Sequence, residues 1–197
     1  MKKKKLNYSK LIFEFISVSF AVLFALFVNQ WREDHNNGVI ADKAIVNIKA
    51  EIIENRDVIN DAISNHKFVL SQIDSLFKSS EISKSDINSI KNLEVNLLSS
   101  SSWEMAQVTK AIFYIDFNKS NVLAKVYSFQ SYYESIVKQY VLGNFYDRGQ
   151  DLESLKITQQ FIKSIIPMEE NLKEFYDLML KEVLTDNVSQ KTIEISE

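Results

Sequence analysis

From Leu11 to Val28 the chain reads LIFEFISVSFAVLFALFV, an apolar run of 18 residues broken by one charge, Glu14, and by Ser17 and Ser19. A helix on the surface of a soluble domain shows a polar face every 3.6 residues, and this run shows none. At about 1.5 Å per residue it is ~27 Å long, against ~30 Å of bilayer hydrocarbon. Asn29, Gln30 and Trp31 carry it into the interface, where Trp31 and Arg32 take the place of interface anchors. The pattern predicts a transmembrane helix over residues 11–31. A lysine-rich start also precedes cleaved export signals, but Leu26, Phe27, Val28 and Asn29 are too bulky for a cleavage site, so a retained anchor is expected.

Beyond Gly38 the period changes. Ile45, Ile52, Ile59, His66 and Ile73 recur every seven residues, and Ala41, Ile48, Asn55, Ala62, Val69 and Leu76 fill the second position. Alternating steps of three and four make the seam of a long packed helix, which Ile63, Leu70 and Phe77 widen. The spacing predicts nearly one helix over residues 6–79, membrane part first, bent near Asn36-Asn37-Gly38. A short helix is expected from Ile87 to Leu98, and Ser101-x-x-Glu104 has the spacing of a capping box starting a helix at Trp103 that ends near Asp116–Asn121. Val122, Val126, Phe129, Tyr133, Ile136 and Tyr140 stripe a further helix ending around Gly143, with a turn at Asp147–Gly149. Residues 151–166 form another helix that Pro167 should break or kink, and Leu172, Tyr176, Met179 and Val183 stripe the last. The expected fold is all-α: a cytoplasmic basic tail (1–10), a transmembrane helix (11–31) continuing into the long helix of an extracytoplasmic bundle (32–185), and a flexible C-terminal tail (186–197).

Composition agrees with helices joined by short connections. Among 197 residues there are three Gly, one Pro and no Cys, which excludes disulfides and thiolate metal sites. Subtracting the five lysines and one acid of residues 1–31 from the totals of 23 and 26 leaves 18 basic and 25 acidic side chains, a net of −7 for residues 32–197. Such a body repels phosphate backbones, so no nucleic-acid partner is expected. The lysines before the span place the N-terminus in the cytoplasm by the positive-inside rule. In a bacterial inner membrane the bundle would then be periplasmic.

Candidate residues are few. Glu14 is an ionisable group within the span, one turn past Lys10, and either meets headgroups and lysine or contacts a partner helix. Ser17, Ala21, Ala25 and Asn29 step by four along one side, the pattern that lets helices approach closely in lipid. With Glu14 they form the expected association face, toward a protein partner or a second copy. Asn55 and His66 lie on the seam as polar groups of the bundle core and should tolerate leucine. His35 has only adjacent carboxylates, which point elsewhere on a helix. Glu51, Glu54 and Asp57 look like a solvated acidic face beside Lys49 and Arg56. Tyr127, Tyr132, Tyr133 and Tyr140 either pack between helices or line a pocket. No glycine-rich phosphate loop, nucleophile elbow or paired-histidine motif occurs, so no catalytic activity, cofactor or metal is expected.

The segment FEFISVSFAVLFALFVNQWRE, followed by EIIEN (Glu51–Asn55), SSWE (Ser101–Glu104) and KVYSFQSYYE (Lys125–Glu134), resembles a family of uncharacterised bacterial single-pass membrane proteins. Many of its members carry a glycine where this chain has Lys110 or Ala111. The resemblance implies topology and no activity. Together these readings lead to a membrane-anchored helical interaction or accessory protein held in the lipid bilayer. The alternative is a small-ligand-sensing bundle, with Tyr127, Phe129 and Tyr132 around a cavity, acting through a partner membrane protein.

Overall fold

The computed structural model describes residues 8–79, 81–90, 93–146 and 151–183. Most of the basic N-terminal tail, the Asp147–Gly149 turn and the 186–197 tail lie outside the described residues. The fold is all-α, with no strand among the described residues. Its helices are α1 (Tyr8–Phe77), α2 (Lys84–Asn88), α3 (Ser101–Val108), α4 (Phe117–Tyr146) and α5 (Leu152–Leu178). A 3₁₀ turn, Ala111–Tyr114, precedes α4, and a π-turn, Met179–Val183, ends α5.

The 70-residue α1 has two environments. Its apolar residues from Ile12 to Val28 are exposed on every side, between 43% at Val28 and 74% at Phe15. An apolar surface without a covered face calls for an apolar solvent. By length and composition α1 can cross a membrane: its most apolar 18-residue window has a mean hydropathy of 2.1 and none of it is buried. Burial begins at Ala41 and follows the seam through Ile45, Ile48, Ile52, Ile59, Ala62, Val69 and Ile73. The α-helix runs unbroken through Asn36-Asn37-Gly38. Gly38 lacks helix propensity, but neighbours on both sides hold the ladder.

Four expectations give way. Residues 93–100 have no regular secondary structure, and among the described residues of the helix expected from Ile87 to Leu98 only Ile87 and Asn88, at the end of α2, are helical. The capping box belongs to Ser83 and Asp86, at the start of α2. At α3 the N-cap is Ser100, and Glu104 instead accepts from the Ser100 hydroxyl at 2.6 Å. That helix stops at Val108, well before Asp116, because Lys110 turns left-handed at φ 62°. Finally, α5 passes through Pro167 as one helix. Proline there withholds one bond from the Lys163 carbonyl, and the buried faces on either side keep the helix together.

Cross-links give the layout. Glu94 meets Asn65 and His66, Ser99 meets Asn55, and Ser102 meets Glu51, so residues 94–102 run antiparallel to α1. Tyr127 meets Glu51 and Gln130 meets Asn55, so α4 runs parallel to α1. Asp74, His66 and Arg56 meet Gln159, Glu169 and Asp177 in turn, so α5 returns antiparallel.

Candidate functional site

Side-chain chemistry concentrates in two buried polar clusters where α1, α4, α5 and the irregular segment 93–100 meet. The lower cluster centres on Glu51, which is 4% exposed. Its Oε1 accepts from the Tyr127 hydroxyl at 2.7 Å. Its Oε2 accepts from Ser99 Oγ at 2.8 Å, Ser101 Oγ at 3.0 Å and the Ser102 backbone N–H at 2.8 Å. Burial alone would raise the carboxyl pKa, but the bonds from Ser102, Tyr127, Ser99 and Ser101 together hold it below its ordinary value. Glu51 is therefore a buried carboxylate anchor and not part of the expected solvated face. Glu54 and Asp57 do stay exposed.

One turn higher, Asn55 does the work of a neighbouring strand. Its Nδ2 donates to the Ser99 carbonyl at 2.7 Å and its Oδ1 accepts from the Ser99 N–H at 2.8 Å. Gln130 Nε2 donates to the same carbonyl at 3.0 Å, and Gln130 Oε1 accepts from the Tyr176 hydroxyl at 2.7 Å. Backbone outside helix and sheet needs such partners, and the side chains of α1 and α4 supply them. Trp103 closes this cluster by stacking on Tyr127, rings 5.1 Å apart and 6° from parallel.

The upper cluster holds His66, Glu169 and Tyr133. Side-chain exposure is 2% at His66 and 0% at Glu169. His66 Nε2 lies 3.0 Å from the Glu94 carbonyl, an acceptor only, so that nitrogen carries hydrogen. Nδ1 lies 2.9 and 3.0 Å from the two Glu169 oxygens. That contact needs a second proton, placed on the ring or on the carboxyl. The Tyr133 hydroxyl donates to Glu169 Oε1 at 3.0 Å. Burial first, then the Glu169 charge and this bond, push the Tyr133 hydroxyl well above its ordinary pKa. Beside the cluster Asn65 Oδ1 accepts from the Glu94 N–H at 3.0 Å, while its Nδ2 has no partner among the described residues.

The sequence had placed Asn55 and His66 in the core, and both are 2% exposed. The expectation that leucine would serve at either position is replaced. His66 hydrogen-bonds a buried carboxyl group 103 residues away, and Asn55 satisfies two backbone groups. Glu51, Gln130, Glu169 and Ser99 were missed as cluster members. Only the heptad offered a signal, since Glu51 directly precedes the seam residue Ile52.

Glu14, Ser17, Ala21, Ala25 and Asn29 remain exposed on α1, with Glu14 Oε1 3.9 Å from Lys10 Nζ. Trp31 is 69% exposed, and Arg32 and His35 are exposed beside it. The three residues considered for a pocket diverge. Tyr132 is exposed, Phe129 sits edge-on to Phe175 at 5.4 Å, and Tyr127 is buried on Glu51. An open groove of about 630 Å³ does run between α3 and α4, lined in part by Trp103, Glu104, Tyr127, Gln130 and Glu134.

The chain matches no family model, no curated protein and no solved structure.

Proposed function

We propose that the protein is a single-pass membrane-anchored accessory protein without catalytic activity of its own, whose helical bundle engages a protein partner outside the cytoplasm. The observation that supports this most is α1 itself, one helix with an uncovered apolar half and a buried half. Any force or tilt on the bundle reaches the span without a hinge. Five lysines before the span favour a cytoplasmic N-terminus, and hence a periplasmic bundle in a bacterial inner membrane. The resemblance to single-pass bacterial membrane proteins points the same way. The buried polar groups serve one another and the backbone, which is structural use and not a reaction centre.

Copurification from gently solubilised membranes tests the reading. A stoichiometric protein partner, lost when the bundle is deleted but kept when the span is exchanged for another, supports it. The groove between α3 and α4 favours a second reading, a sensor of small polar ligands, because its wall includes Tyr127, bonded to Glu51 on the membrane-linked helix. Ligand-dependent protection of Trp103 fluorescence from quenchers would favour the sensor.

A further inference from the structure

The bundle covers one side of α1 and leaves the opposite side bare. Along that bare side Val39, Val46 and Ile53 follow one another at seven-residue intervals, exposed by 39%, 65% and 36%. Residues seven apart differ by only about 20° around a helix, so the three form one stripe. Lys43, Ala50 and Asp57 stand four residues after each and are exposed too. We infer that this stripe of α1 is a pairing seam for a second copy of the chain, lying parallel in the same membrane.

The flanking charges select that occupant. With Val39, Val46 and Ile53 as one core position of a heptad and Lys43, Ala50 and Asp57 as the other, the flanks are Asp42, Lys49 and Arg56 on one edge and Ile40, Asn47, Glu54 and Asp61 on the other, with Arg56 also 3.0 Å from Asp57 and 3.8 Å from Asp177 of its own chain. In a parallel pair each flank residue meets the residue five further along on the other helix. Lys49 then faces Glu54 of the second copy, and Arg56 faces Asp61 of the second copy. An antiparallel pair would set Lys49 and Arg56 against their own counterparts, and the acids against theirs. The flank charges therefore favour the parallel arrangement over the antiparallel one; against them stand Lys43 and Asp57, which meet their own counterparts in the parallel core.

Anchoring demands the same arrangement, because every copy enters the bilayer in one orientation and at one height; this part rests on the anchored reading above. The span continues the seam. Ala21 and Val39 are 18 residues apart, and Ser17 and Ile53 are 36 apart. At about 3.6 residues per turn those are five and ten whole turns, so the small residues of the span lie in line with the stripe. Arg32 separates the two apolar stretches at the neck. Lys43 and Asp57 cost stability at core positions and, like other polar core residues, fix register.

The natural chain has no cysteine, so single-cysteine variants of the full-length protein report one position each. Oxidation in vesicles should crosslink Val46→Cys, Ala50→Cys and Ile53→Cys to dimers roughly tenfold more than Gln139→Cys, exposed on α4. Glu54→Lys should cut the Val46→Cys yield severalfold, and adding Lys49→Glu should restore it. Equal yields at Val46 and Gln139, crosslinks only to other proteins, or no loss with Glu54→Lys in a chain of unchanged helicity would overturn the seam. Loss with Glu54→Lys that Lys49→Glu does not restore, in a double variant of unchanged helicity, would overturn the parallel pairing. Vesicle sedimentation reads the anchor separately: a soluble chain that still crosslinks through Val46 refutes the anchor and retains the seam.

Discussion

Tyr127 on α4 donates its hydroxyl to Glu51 on α1 at 2.7 Å, across 76 residues of sequence. The bond ties the long helix α1 to the helix that borders a groove beside Trp103. Burial raises the Tyr127 hydroxyl well above its ordinary pKa, and the bond to Glu51 and the charge there raise it further.

Glu51→Ala should destabilise the bundle by ~3 kcal/mol, because the Ser102 N–H and the Tyr127 hydroxyl lose their acceptor inside the core. Tyr127→Phe should cost ~1–2 kcal/mol, since three donors to Glu51 remain. Denaturant unfolding of the detergent-solubilised chain, followed by circular dichroism, measures both. Equal stability of Glu51→Ala and wild type would contradict the cluster.

The same carboxylate predicts an acid limb. A carboxyl held below its unfolded value of 4.5 contributes stability that is complete above that value and is lost as pH falls through the folded value. The wild-type unfolding midpoint should therefore drop below pH 4.5 more steeply than that of Glu51→Gln, which carries no titrating group at this position. Parallel curves for the two proteins would remove Glu51 as the cause.

His66→Leu should cost ~3–5 kcal/mol, because it leaves the buried Glu169 carboxyl without its imidazole partner. His66→Leu combined with Glu169→Leu should recover much of that loss, since removing both partners of a buried pair is far milder than removing one. A double-mutant cycle on unfolding free energies reads the coupling. Additive losses would mean that the 2.9 Å contact contributes nothing.

Lys110→Gly should stabilise the bundle by ~0.5–1 kcal/mol, because a left-handed residue other than glycine is strained. Gly38→Ala should add ~1 kcal/mol of helix stability, since a Cβ there meets nothing within 4 Å. Thermal melts in one detergent check both.

The long helix was legible because its seam repeats for five heptads and its apolar run has no competing pattern. Glu51 was not, because its partners arrive from residues 99–102 and 127, and on α1 alone it looks like a neighbour of Glu54. His66 read as unpaired for the same reason: Glu169 comes from α5. The irregular segment was misread as a helix because Ile87, Ile90, Leu97 and Leu98 can be fitted to helical spacing. The amide of Asn55, one turn past Glu51, and that of Gln130 from α4 hold the Ser99 backbone against α1. On α4 the buried face is Leu123, Val126, Tyr127, Gln130, Tyr133 and Val137, rotated from the expected stripe because Gln130 and Tyr127 point inward to bond.

The central claim is that α1 crosses a membrane and carries the bundle out of the cytoplasm. Alkaline phosphatase, active only where disulfides form, fused after Glu197 reads this directly. The account predicts high phosphatase activity in the membrane fraction. An inactive fusion, with a cytoplasmic reporter active at the same position, would contradict it.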